Sequence, residues 1–71
     1  MHFNVVILKE NEIYSSLCPE LDIASSGKTI DEARENLKEA IELYLEDPDA
    51  IMPSGINSIT LTGIDIDLAK K

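Results

Sequence analysis

Thr29-Ile30-Asp31-Glu32-Ala33-Arg34-Glu35-Asn36-Leu37-Lys38-Glu39-Ala40-Ile41-Glu42-Leu43-Tyr44-Leu45-Glu46 is the stretch on which the reading of the fold rests. Its apolar residues Ile30, Ala33, Leu37, Ala40, Ile41 and Tyr44 recur at spacings of three and four, which at ~100° per residue makes one stripe on a helix. Leu45 sits at the edge of that stripe. Leu43 falls among polar neighbours and is expected to be exposed or at an interface. Thr29 and Glu32 form a Thr-x-x-Glu capping box, and Asp31 and Glu32 place negative charge at the positive end of the helix dipole. Asp47-Pro48-Asp49 ends it, because the residue before a proline disfavours the helical region. The pattern predicts a helix over about 30–46. Glu32, Glu35, Glu39, Glu42 and Glu46 gather on its opposite side as an acidic ridge, which Arg34 and Lys38 on the flank relieve only in part.

Upstream of the helix the period changes from 3.6 to 2. Phe3-Asn4-Val5-Val6-Ile7-Leu8 is β-branched and apolar on both alternating faces, which reads as a strand buried from two sides. Lys9-Glu10-Asn11-Glu12 reads as a turn, and Ile13-Tyr14-Ser15-Ser16-Leu17-Cys18 as the returning hairpin strand. Pro19 has no N–H for a ladder and ends or bends that strand. Leu21-Asp22-Ile23-Ala24-Ser25-Ser26 alternates as a half-buried third strand, closed by Gly27. Downstream, residues 47–57 hold Pro48, Pro53, Ser54 and Gly55 and read as a loop. Ile59-Thr60-Leu61-Thr62 alternates again, and Ile64-Asp65-Ile66-Asp67-Leu68 resumes after Gly63 with its phase shifted by one. Such a slip turns the apolar set to the other face, and glycine suits the bulge or bend that absorbs it. Lys70-Lys71 is a short basic tail.

The expected order is therefore β-β-β-α-β in one α+β domain over residues 1–71, with strands at about 3–10, 13–18, 21–26 and 58–68. One helix covers one face of a sheet. The first strand carries Val6 and Leu8 on one side and Phe3, Val5 and Ile7 on the other, so a second copy or a partner is expected on the uncovered side.

At 71 residues a chain has room for one shallow core and commonly needs a staple. One cysteine, Cys18, forms no intrachain disulfide, and no Cys/His pair has metal-ligand spacing, so oligomerisation or a stable partner is the expected staple. A hydrophobic fraction of 44% is ordinary for a globular domain. No apolar run is long enough for a membrane span, no secretory pattern opens the chain, and a lone cysteine fits a reducing compartment; a cytoplasmic location is expected. Fourteen acidic against six basic residues, a net charge of −8, argue against binding nucleic acid directly. Acidity of this degree keeps a protein soluble. It also complements a basic partner and speeds the encounter with it.

Catalytic constellations are poorly represented, and no cofactor or metal is expected. Asp65 and Asp67 alternate with isoleucines and read as a solvated strand face. A metal-dependent nuclease built on them or on Asp22 lacks the converging carboxylates of two-metal chemistry. Glu20 and Asp22 flank the Pro19 turn and read as turn and edge residues. Cys18 has no histidine base apart from terminal His2 and reads as a buried structural thiol. Gly27-Lys28-Thr29 matches the end of a phosphate loop, but the upstream glycine is missing. Gly27 reads as a turn residue and Thr29 as the cap.

Tyr14-Ser15-Ser16-Leu17-Cys18-Pro19-Glu20-Leu21, Gly27-Lys28-Thr29-Ile30-Asp31-Glu32-Ala33 and Asn36-Leu37-Lys38-Glu39-Ala40-Ile41-Glu42-Leu43-Tyr44 together resemble the HicB-like antitoxin family. A Cys-Pro-Glu-Leu turn, a Gly-x-Thr cap and a Glu-Ala-x-x-Asn-Leu-x-Glu-Ala helix occur in order over roughly residues 3–46. The resemblance implies a partial ribonuclease-H-like unit without a working nuclease site, its last strand beside and parallel to its first. It also implies neutralisation of a HicA-type toxin, a small basic RNA-cleaving protein whose catalytic histidine or RNA surface would be covered. Many members carry a further C-terminal DNA-binding domain. The present sequence stops at Lys71, and DNA binding of its own is not expected.

The partner-binding candidates are Glu35, Glu39 and Glu42 on the ridge, Leu43 beside them, and Val6, Leu8 and Tyr14 on the strands. The competing expectation is a self-associating structural module, a homodimer or higher oligomer, with no toxin partner.

Overall fold

The computed structural model describes residues 1–50 and 56–68. Pro53, Ser54 and Gly55 of the expected loop, and the Lys70-Lys71 tail, lie outside the described residues. Three strands, β1 (Val6–Glu10), β2 (Ile13–Cys18) and β3 (Ile23–Gly27), form an antiparallel meander in the order β1-β2-β3, and α1 (Ile30–Glu46) packs across one face. The expected turn at residues 9–12 contracts to Asn11 and Glu12, since Lys9 and Glu10 pair with Tyr14 and Ile13. Asn11 adopts a φ of 56°, a left-handed conformation that asparagine tolerates better than most residues.

Strand ends move for local reasons. The first strand starts at Val6 instead of residue 3, because the Asn4 N–H donates to the Glu20 carboxylate at 3.0 Å and not to a ladder. The third starts at Ile23 instead of residue 21, because Asp22 has a φ of 55°, which breaks extended backbone. The helix has the expected limits. Thr29 Oγ1 accepts from the Glu32 N–H at 3.0 Å, and Glu32 reaches back to accept from the Lys28 N–H at 3.1 Å. Asp47 then turns extended ahead of Pro48 and caps the end through its N–H to the Tyr44 carbonyl.

Register decides the faces. Val6 lies opposite Leu17, Leu8 opposite Ser15 and Glu10 opposite Ile13, so these residues share the face away from the helix. Ile7, Lys9, Tyr14, Ser16 and Cys18 share the helix face, continued on β3 by Ile23, Ser25 and Gly27. The core lies between the helix and β2–β3. Cys18, Leu37 and Ile41 are its buried centre, with Phe3, Leu21, Ile23 and Leu45 packed around them. Small residues let the layers approach closely. A Cβ on Gly27 would stand 2.5 Å from the Ala33 nitrogen and 2.8 Å from the Glu32 carbonyl carbon. Gly27, expected as a turn residue, is thus the last residue of β3 and a site of close approach to the first turn of the helix. Buried Ser16 donates to the Ala33 carbonyl at 2.9 Å, which satisfies its hydroxyl. Asn36 Nδ2 donates to the Ser26 carbonyl at 2.8 Å and ties the helix to the end of β3.

Three expectations are corrected. The strand expected over 58–68, parallel to the first, is not formed; residues 56–67 are in no sheet. Alternation supplies the tendency, but a strand exists only where a ladder partner takes up its N–H and C=O groups. The first strand is not buried from two sides. The helix packs chiefly over β3, less over β2 and least over β1, and Leu8 remains 59% exposed. Ile30, counted in the helix stripe, is exposed in the first turn, whereas Ala33, Leu37 and Ile41 of that stripe are buried.

Candidate functional site

The candidate residues fall on three surfaces. The first is the sheet face opposite the helix. Alternation along β1 and β2 brings Val6, Leu8, Ile13 and Leu17 to it, joined by Ala24 of β3 through its pairing with Leu17. Leu8, Ile13 and Leu17 are exposed large hydrophobics there, with Ser15, Ser26 and Glu10 as polar companions. Val6 and Leu8 were sequence candidates. Ile13 and Leu17 were not, although the signal was present: a two-residue loop at Asn11-Glu12 sets Glu10 opposite Ile13 and hence Ile13 and Leu17 on the side of Val6 and Leu8.

The second surface is the outer side of α1. Glu35, Glu39, Glu42 and Leu43 are all exposed on it, with Glu32 and Glu46 extending the ridge as expected. Its one ion pair among the described residues is Arg34 to Glu35 at 3.7 Å, between side chains that are 66% and 61% exposed. At that exposure the pair leaves the ridge charge essentially intact. Ridge and apolar sheet face lie on opposite sides of the two-layer domain, so the structure does not bring these two candidate sets together.

Tyr14 belongs to neither. It lies on the helix side of the sheet, with the Lys9 ammonium 5.4 Å from its ring centroid in a cation–π contact. Together with Lys28, Thr29, Ile30 and Asp31 it lines a shallow hollow at the helix N-terminus. The third surface is a groove of about 550 Å³ between the N-terminal segment and the helix, whose apolar lining includes Phe3, Val5, Leu37, Ile41 and Leu45, with Glu35 and Glu42 of the ridge also lining it. It exists because the helix sits over β3 and leaves the β1 side thinly covered.

Glu20, expected as a simple turn residue, is a tether. It accepts from the backbone N–H and, at 2.8 Å, the side-chain amide of Asn4, and Cys18 Sγ donates to it at 3.7 Å. The Asn4 backbone hydrogen bond is the main cause holding its carboxyl below the usual range. Burial pushes the Cys18 thiol above its ordinary value, which disfavours the reactive thiolate. Asp65 and Asp67 are exposed and outside any strand. Among the described residues no group of three His, Cys, Asp or Glu side chains stands ready to hold a metal, and no helix is long and apolar enough to cross a membrane.

A UPF0150 protein of Helicobacter pylori is 47% identical over 51 residues, covering 70% of this chain and 71% of that protein. A UPF0150 protein of Synechocystis is 44% identical over 48 residues, covering 62% of this chain and 61% of that protein. No family model matches the chain, and no solved structure matches it.

Proposed function

The chain belongs to the UPF0150 family, and from that premise we propose that it is a protein-binding module of the HicB-like antitoxin type, which neutralises a small basic RNA-cleaving protein of the HicA type and has no catalysis of its own. The observation that carries this reading is the sheet face of Val6, Leu8, Ile13 and Leu17, which the single helix leaves open. A contiguous apolar patch on a small acidic domain is the usual mark of a protein interface. The net charge of −8 suits a basic partner and opposes direct competition for RNA. The sequence pattern on residues 14–44 that resembles the antitoxins supports the same conclusion.

The two candidate surfaces have separable roles in this reading. The apolar face makes the contact. The helix ridge lies on the far side of the domain, and charges are screened over about 10 Å at 0.1 M salt, so it acts on encounter and only at low salt.

Co-expression with a small basic toxin-like protein encoded beside it is expected to give a stable complex and to restore growth. Leu8→Asp and Leu17→Asp are each expected to weaken the complex by about tenfold to a hundredfold. Reversing Glu35, Glu39 and Glu42 to lysine is expected to slow association at low salt and to leave affinity at 0.15 M salt nearly unchanged. Absence of any complex or rescue overturns the antitoxin reading. Loss of binding from the ridge variant alone would move the contact to the helix.

A further inference from the structure

We propose that residues 59–68 are an exchange arm, which lies as a strand on the free β1 edge of a second copy of this chain and receives that copy's arm on its own edge in return. Two halves of a β interaction stand unmet in the structure. β1 pairs with β2 on one side and with no described residue on the other, so a row of backbone donors and acceptors is open along Val6–Glu10. Apolar surface flanks that edge on both sides, Val6 and Leu8 on one and the groove of Phe3, Val5, Leu37, Ile41 and Leu45 on the other. A strand laid there would set its apolar side chains against one of these surfaces.

The segment with that pattern is the chain's own. Residues 56–67 are in no strand, and Leu61, Ile64, Ile66 and Leu68 are exposed by 88%, 85%, 68% and 81%. The one-residue slip at Gly63 fits a paired strand better than a free tail. A bulge there would return Ile59 and Leu61 to the same side as Ile64, Ile66 and Leu68, and a Cβ would meet nothing at Gly63 within 4 Å. The chain is elongated. The radius of gyration is 15.3 Å and the longest extent 53 Å, whereas a compact chain of this length has a radius of about 11 Å. Reciprocal exchange closes by two-fold symmetry and leaves no open edge for further addition.

The exchange goes beyond the antitoxin reading and stands or falls separately from it. Both copies are acidic, so added salt should tighten the homodimer, whereas salt loosens a complex with a basic partner.

Light scattering on the intact chain is expected to give twice its mass of 7.8 kDa. Thr60→Pro and Ile64→Pro combined in one chain, which lie in opposite phase across a bulge at Gly63 so that one of them removes a ladder N–H, are expected to return it to the single-chain mass with the helical circular dichroism unchanged. A mixed sample of isotope-labelled and unlabelled unmodified chains is expected to show intermolecular contacts between residues 59–68 and Val6–Glu10. A monomer at all concentrations overturns the proposal. So does a dimer whose mass ignores both prolines, and so do arm-to-β1 contacts found only within one chain.

Discussion

The segment from β2 to the end of α1 and the segment at 56–68 are both rich in branched apolar residues, yet they end in opposite states. In the first, Cys18, Ala33 and Leu37 are fully buried, and the buried Ser16 hydroxyl has a partner. In the second, Leu61, Ile64 and Leu68 are more than 80% exposed. The difference does not lie in hydrophobicity. It lies in whether the chain itself provides an opposing surface. β2 and β3 have a helix placed over them by a short connection through Gly27 and Thr29. The β1 side and residues 56–68 have none within the described chain, and a period-2 pattern without a facing layer buries nothing.

The largest test of this contrast is a pair of truncations with similar chemistry. Leu37→Ala empties the centre of a small core and is expected to cost about 2–5 kcal/mol, enough to unfold a domain of this size in a thermal melt. Leu61→Ala is expected to change the melting of the dilute chain by less than about 0.5 kcal/mol. Equal effects would mean that the arm is packed on its own sheet.

The helix–sheet contact gives the next largest effect. Gly27→Ala puts a methyl group against the backbone of Glu32 and Ala33, and overpacking of this kind is expected to cost about 1–3 kcal/mol in denaturant titration. Gly63→Ala, where a Cβ meets no atom, is expected to leave the same titration unchanged in the dilute chain.

Ser16→Ala should cost about 1 kcal/mol through loss of the buried hydrogen bond to Ala33. Ser15→Ala, on the open face opposite Leu8, is expected to be close to neutral. A neutral Ser16→Ala would show that close packing alone, and not this hydrogen bond, holds helix to sheet.

The smallest expected effect is pH-dependent. Glu20 has its folded-state pKa held below the ordinary 4.5, chiefly by the Asn4 N–H. A depressed carboxyl pKa stabilises the fold above its unfolded value, and that contribution is lost as pH falls through the folded value. Acidification below the ordinary carboxylate range should therefore release the N-terminal segment, seen as faster amide exchange at Asn4 with the helix still intact. Glu20→Gln should abolish that pH dependence. Persistence of the pH effect in the variant would assign it to another carboxylate.

Much of the well-packed half was legible in order and spacing. The Thr29 cap, the buried Ala33–Leu37–Ile41 line, the Asp47-Pro48 stop, the Ile13–Cys18 strand, the buried Cys18 and the exposed Leu43 and acidic ridge follow from local rules that use only a few neighbouring residues. The misread positions are those whose state depends on distant partners. Ile30 lies on the right stripe, but the first turn overhangs the sheet. Gly27 looked like a turn glycine, and only the path of the helix shows that a backbone passes where its Cβ would be. Glu20 looked like an edge residue, and only the turn at 19–22 brings it to Asn4.

The candidate site divides along the same line. That a single helix would leave a sheet face open follows from counting elements, and the net charge of −8 from counting residues. Which residues form the open face required the register, and that Val6 and Leu8 lie on the opposite side from Glu35, Glu39 and Glu42 required the layers to be stacked. The sequence by itself determined the helix, its caps, its acidic back and the strand tendency of each alternating segment, because these depend on chain geometry over one or two turns. Tertiary structure alone decided that β1 has an edge with no strand beside it among the described residues, that Leu8 remains exposed and that residues 59–67 lie outside any strand, because pairing and burial depend on surfaces brought together from distant parts of the chain or from another one.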